Sequence, residues 1–240
     1  MTAAVARAGR RYLPKGWGDL GLQFAIWFGF LAVYQVVRGF ADHNTAKAFQ
    51  NGLRIIDFER NANALYELTF QRLVTSSHTL KILTTWTYWN SEFTVVGLAM
   101  LWIYFRRHDA FARFRNTILL ANVLGLVGYI LVPTAPPRMF SSFGFLNDHR
   151  DGVVTLAANP YAAMPSLHAA DALIVGVALA LLCRSRPAKA FWVLWPAWVW
   201  FCVMATANHY WVDVLAGNLV AVLAAALIFR RTIWQRLAPA

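Results

Sequence analysis

Apolar residues along this chain gather into runs of membrane-crossing length, separated by short polar stretches. A spanning helix needs about 20 mostly apolar residues, because a rise of ~1.5 Å per residue must cover ~30 Å of hydrocarbon. Six runs approach or exceed that length: residues 20–40, 80–105, 116–132, 167–183, 191–207 and 211–229. The second is long enough to tilt or to begin at the interface, while the third and fourth are short. Residues 46–74, after the first run, follow a different pattern. There Phe49, Leu53, Ile56, Leu65, Leu68, Phe70 and Leu73 interleave with Lys47, Arg54, Asp57, Glu59, Arg60, Glu67 and Arg72. Such amphipathic spacing predicts helices lying on the membrane surface. The expected fold class is all-α: an integral membrane six-helix bundle with interfacial amphipathic helices between the first two spans. Its parts are a basic N-terminus (1–19), the first span with the interfacial helices (20–78), a core of five spans (79–230) and a short tail (231–240).

Composition agrees with this division. Hydrophobic residues make up 59% of the 240 and charged residues 14%, against roughly 45–50% and about 25% in soluble proteins. So little charge cannot cover a solvated surface, which excludes a soluble enzyme, a disordered chain and a disulfide scaffold. The 11 Trp, 17 Phe and 8 Tyr suit lipid-facing helices and interfacial aromatic belts. A net charge of +11 raises the question of a nucleic-acid partner, but the basic residues lie between apolar runs and form no patch on a polar domain. They read as topology signals. Fourteen of the 22 Lys and Arg fall in Arg7–Lys15, Arg106–Arg115, Arg184–Lys189 and Arg230–Arg236, which share one side if the N-terminus is cytoplasmic. The positive-inside rule then puts both termini in the cytoplasm of a multi-pass cell-membrane protein. The first run is too long for the core of a cleaved signal peptide. Cys183 and Cys202 sit inside apolar runs without a metal-ligand spacing, so they read as packing residues.

Three polar clusters converge on the outer ends of the last four spans. The first is Pro133-Thr-Ala-Pro136-Pro137-Arg138, where prolines end the third span and stiffen the backbone that carries Arg138. An interfacial arginine can reach for headgroups, and its forked donor also suits a phosphate. The second, Asn159 to His168, opens the fourth span. Ser166 can cap that helix, whose first amides favour an anion, and His168 emerges in its first turn. Asp171, three residues on, can pair with His168 or with a neighbouring span. The third cluster, Asn208-His209-Tyr210-Trp211-Val212-Asp213, opens the last span. His209 and Asp213 are four apart and share a helical face, so the carboxylate can hold the imidazole's tautomer and activate its other nitrogen. A hydrogen-bonded pair at a helix start would give the same spacing. Two histidines, one aspartate and one arginine brought to one membrane face by different spans argue for a site, because ionisable groups near hydrocarbon are costly.

In this order the motifs APPR (135–138), PSLH (165–168) and NHYWVD (208–213) resemble the type 2 phosphatidic acid phosphatase superfamily. Within it they are most similar to the branch of inositol phosphorylceramide synthases and many small bacterial members. The resemblance covers roughly Ser91 to Gly217 and implies a six-helix fold with covalent phosphoryl transfer on the extracytoplasmic side. Carried over residue by residue, it implies His209 as nucleophile, Asp213 as its orienting partner and His168 as general acid. Ser166 and Arg138 would hold phosphate oxygens, with Asn208 and Tyr210 beside them as further substrate contacts. The scheme requires no metal and no cofactor. Two departures from the wider superfamily stand out. Cys202 and Val203 occupy the places of a Ser-Arg pair, and Leu167 replaces the glycine of PSGH. Fewer cations around the phosphoryl group fit transfer to an acceptor better than monoester hydrolysis.

The expected partner is a membrane lipid phosphate, with a polar hydroxyl compound as a possible acceptor. Nucleic acid is not expected, and the oligomeric state is open: Gly125 and Gly128 allow close helix contact within one chain or between two. Asp148, His149 and Asp151 suit either an acceptor's hydroxyls or a solvated loop. Glu92, inside the second span, is a functional candidate or a packing partner for a residue such as Asn122. A different class of reading is a non-enzymatic transporter with His209, Asp213 and Glu92 as a proton relay. A serine protease is disfavoured because Ser166 and His168 are too close in sequence to face one another.

Overall fold

The computed structural model describes residues 13–40, 44–147 and 160–237, with side chains through residue 37 of the first stretch and residue 230 of the last. Asp148, His149, Asp151 and Asn159 lie outside the described residues. What is described is helical, without strands. Nine α-helices follow in chain order: α1 (Gly16–Phe40), α2 (Thr45–Asn61), α3 (Tyr66–Thr75), α4 (His78–Asn90), α5 (Val96–Arg106), α6 (His108–Leu131), α7 (Leu167–Leu182), α8 (Arg186–Ala205) and α9 (Trp211–Leu237). A π-helical turn, Ser91–Val95, joins α4 to α5.

Four helices have the length and apolarity to cross a membrane: Gly16–Val37, His108–Leu131, Arg186–Ala205 and Trp211–Arg230. The other two runs of spanning length deviate for visible reasons. The run over 80–105 contains the π turn, which carries Glu92 and breaks the regular ladder. α7 is apolar but has 16 residues, about 24 Å at the usual rise. Residues 160–166 before it are irregular and mostly buried against protein. α6 begins well before Asn116, because its N-terminal turns carry Arg113 and Arg115 as helix while the apolar run starts later.

α7 is the centre of the bundle, packed by α6, α8 and α9. Ile118, Leu167, Val175 and Ala224 are buried in this core with Val96 and Ile103 of α5. Close approach depends on glycine. A Cβ on Gly125 would stand 2.4 Å from Leu167 Cδ2, and one on Gly128 2.4 Å from Pro165 Cδ. Both glycines therefore serve contact within one chain. α1 is peripheral, with only 6% of its apolar window buried. The Tyr104 hydroxyl ties it down by donating to Asp19 Oδ2 at 2.8 Å.

The amphipathic stretch over 46–74 forms helices α2 and α3. Asn44 caps α2 by accepting from Lys47 N at 2.9 Å. Ala48 and Ile56 of α2 pack with Ala135, Phe140, Phe145 and Tyr210. This second, smaller core clamps α2 onto the two polar segments that precede α7 and α9. Asn51 Nδ2 and Lys47 Nζ add hydrogen bonds to the carbonyls of Pro133 (2.8 Å) and Leu131 (3.1 Å). The amphipathic pair is thus a lid of fixed position over one end of the bundle.

Candidate active site

The three polar segments are stitched together by their backbones. Thr134 N donates to Tyr161 O at 2.8 Å, and Ala163 N to Thr134 O at 3.3 Å, so the proline segment lies parallel to the strand-like residues before Pro165. Arg138 N donates to Ala207 O (2.9 Å), and Ser166 N to Asp213 O (3.0 Å). Ala207 turns the chain at φ +53°, and the amides of Asn208 and His209 both reach Val203 O, at 3.1 and 3.2 Å. Each motif is held by bonds to another, so the side chains they carry share one frame.

His209 is buried, and its Nδ1 lies 2.9 Å from Ala163 O. A carbonyl oxygen only accepts, so Nδ1 carries the hydrogen and the lone pair is on Nε2. Asp213 Oδ2 is 3.6 Å from the same Nδ1 and accepts from Tyr210 N at 2.9 Å. The aspartate therefore stands behind the imidazole, while the direct hydrogen bond that sets the tautomer comes from Ala163. No spacing argument could find that carbonyl, 46 positions away. The His168 ring lies 5.7 Å from that of His209, tilted by 56°. It stacks on Tyr88 at 4.5 Å, and its Nε2 is 3.3 Å from Glu92 Oε2. Asp171 takes the neighbouring span of the two alternatives considered for it, while Glu92 takes His168 in place of Asn122. Glu92 meets His168, and Asp171 accepts from Asn122 Nδ2 at 3.1 and 3.2 Å. Tyr88 and Glu92, four apart at the junction of α4 with the π turn, thus both meet His168.

Arg138 is half-buried and donates through Nη1 to Asn208 Oδ1. Among the described residues no carboxylate pairs with it, so burial without a counter-ion lowers its pKa from the usual arginine value. An arginine stays charged even so, and its remaining N–H donors suit an anion. Asn208 is itself braced by Thr206, whose Oγ1 accepts from Nδ2 at 2.8 Å. Ser166 is fully buried, and its hydroxyl accepts from Ala169 N at 3.3 Å as the cap of α7. Tyr210, expected at the substrate, is also fully buried; its hydroxyl donates to Ala135 O at 3.1 Å and so fastens the α9 entry to the proline segment. Cys202 and Val203 are buried beneath the turn and bring no charge to it. Among the described residues, no group of three or more His, Cys, Asp or Glu side chains has metal-binding geometry.

Two functional neighbours are missing from a sequence-based description. Glu59 of α2 and Glu67 of α3, apparently surface charges of amphipathic helices, are fully buried against the start of α9. Trp211 N donates to Glu67 Oε1 at 2.6 Å, and Val212 N approaches Glu59 Oε1 at 3.5 Å.

Comparison with known proteins gives three findings. The sequence profile of the PAP2 superfamily matches residues 53–227. The chain is 31% identical over 146 residues to the phosphoinositol dihydroceramide synthase of Bacteroides thetaiotaomicron, an alignment covering 51% of this chain and 47% of that protein. The chain thus spans about half the length of the curated relative it matches. The crystal structure of Aquifex aeolicus LpxE superposes with a TM-score of 0.51 at 16% identity, covering 68% of this chain and 93% of that one, a likeness of fold.

Proposed function

The chain belongs to the PAP2 superfamily, and on that premise we propose that it is a multi-pass membrane enzyme that moves the phosphoryl group of a lipid phosphate or phosphodiester to water or a hydroxyl acceptor. In this reading the chain crosses the membrane six times, with both termini cytoplasmic and the site at the extracytoplasmic end. His209 Nε2 attacks phosphorus; the bond to the lipid oxygen breaks, and His168 gives that oxygen its proton, which avoids expelling an alkoxide. The phosphohistidine is then attacked by the acceptor's oxygen, whose proton returns to His168. Asp213 and the Ala163 carbonyl stabilise the cationic ring during both steps. Arg138 faces the equatorial oxygens, where charge develops.

The observation that carries this reading is the His209 ring, held by Nδ1 to a carbonyl with a carboxylate behind it and a second imidazole 5.7 Å away. Glu92 fits the same scheme, since its Oε2 lies 3.3 Å from His168 Nε2 and so orients the ring assigned as general acid. Tyr210 is assigned to the framework, not to the substrate. The name of the Bacteroides relative, a phosphoinositol dihydroceramide synthase, supports headgroup transfer onto a lipid alcohol over simple hydrolysis. A proton-relay transporter would string its ionisable groups along the membrane normal, whereas His209, Asp213, His168 and Glu92 meet at one end of the bundle. The test offers purified protein phosphatidate, a prenyl diphosphate and phosphatidylinositol, each with and without ceramide, and reads products by mass. Turnover that depends on His209 is expected; full turnover by His209→Ala would end the nucleophile assignment.

A further inference from the structure

The two buried glutamates do more than fill space. Helix α9 begins two residues after His209, and its first amides are free of intrahelical partners by construction. Glu67 takes the amide of Trp211, Glu59 approaches that of Val212, and Asp213 takes that of Tyr210. Three carboxyls therefore crowd one helix start, all with no accessible surface. Glu59 Oε2, Glu67 Oε2 and Asp213 Oδ1 accept from no donor of the described residues. The cations nearby are turned elsewhere: Arg54, Arg60 and Arg72 are exposed on α2 and α3, and Arg138 is engaged with Asn208. α8, which packs on α3, contributes only Cys202 at this end, and its Arg186 and Lys189 lie at its far terminus. The remaining ionisable neighbours are Tyr210, bonded to Ala135, His209 and the exposed Tyr66. Two anions side by side in such a place would repel each other and Asp213 at full strength.

We propose that Glu59 and Glu67 are positioning residues for His209: they share one proton, and as a pair bearing a single negative charge they hold the first amides of α9 and so fix the nucleophile's loop. One carboxyl donates its O–H to the other's oxygen, which leaves an acceptor for each amide and one charge for the positive end of the helix. Direction of titration agrees with the geometry. Burial, then the charge of Glu67, pushes Glu59 up to about 9, and burial pushes Glu67 up to about 7. A carboxyl raised in the folded state contributes most stability below the ordinary value near 4.5 and loses it as pH rises through its folded value. Between about pH 7 and about pH 9 the folded pair keeps one proton that the unfolded chain has already given up, so stability falls across that range, and the α9 start loosens as the shared proton leaves above about pH 9.

The kinetic arm of the test rests on the phosphoryl-transfer reading; the unfolding arm does not. Glu59→Gln keeps an acceptor for Val212 N, donates its own N–H to Glu67, and has no proton to lose. Thermal unfolding in detergent is expected to show a wild-type midpoint that keeps falling from about pH 7 to about pH 9, and a Glu59→Gln midpoint that stays level there. If lipid turnover is found, the alkaline fall of kcat is expected to move upward by about one pH unit or more in Glu59→Gln, with KM changed less than about twofold. Glu67→Gln, which removes the anion, is expected to lower kcat about tenfold at neutral pH. A Glu59→Gln protein that unfolds along the wild-type pH curve, or that fails to fold, overturns the shared proton whatever the activity. Absence of turnover in wild type with the unfolding difference intact would overturn the functional reading and leave the pair standing.

Discussion

Gly217→Ala tests whether the α9–α7 contact sets the geometry of the site. A Cβ at Gly217 would stand 2.1 Å from Ser166 O, 3.0 Å from Ser166 C and 3.4 Å from Ala169 Cβ. Ordinary contact between such atoms is about 3.5 Å, so more than ~1 Å of separation is required. The nearest atom is backbone in the buried PSLH segment, which cannot swing aside as a side chain would. Overpacking of this kind costs about 1–3 kcal/mol, partly offset by the ~1 kcal/mol that alanine gains over glycine in a helix. Net destabilisation is therefore about 0–2 kcal/mol. The displacement falls on Ser166, whose amide is bonded to Asp213 O, and hence on the spacing of His168 from His209. A misplacement of ~1 Å at reacting groups costs on the order of 10²-fold in rate. The expected result is a modestly lowered unfolding midpoint with a loss of kcat far larger than the stability change implies. Gly97→Ala is the control, since nothing lies within 4 Å of its Cβ; it is expected to gain about 0.5–1 kcal/mol and keep full activity. Wild-type turnover by Gly217→Ala would show that the close contact does not position the catalytic groups.

His209→Ala and His168→Ala are each expected to remove measurable turnover while the unfolding midpoint stays near that of wild type, checked by product mass and by thermal unfolding of the same preparations. Glu92→Gln keeps a hydrogen-bonding group but loses the charge beside His168; a charge-assisted bond worth about 1.5–3 kcal/mol predicts a kcat loss of about 10- to 100-fold. Arg138→Lys keeps the charge and loses the fork that reaches both Asn208 and an oxyanion, so kcat/KM is expected to fall about tenfold or more, measured with the lipid that wild type turns over best.

The sequence by itself determined what depends on local periodicity and on the cost of charge in hydrocarbon. Apolar run lengths marked the helices, the 46–74 pattern marked α2 and α3, and four-residue spacing put His209 and Asp213 on one face, because helical geometry fixes such relations within a turn or two. The Ser166 cap of α7 is similarly local. Tertiary structure alone decided which distant groups meet. His209 takes its tautomer from Ala163 because the segment before Pro165 lies alongside the proline segment, and Glu92 finds His168 because the π turn packs against α7. Glu59 and Glu67 are charged positions like the exposed Arg54, Asp57, Arg60 and Arg72 of their helices, and an amphipathic pattern cannot say which of its polar positions will be covered when the helix docks. Hydrogen bonds between segments tens of residues apart depend on how loops fold back over the bundle, and that return path leaves no periodic trace in the chain.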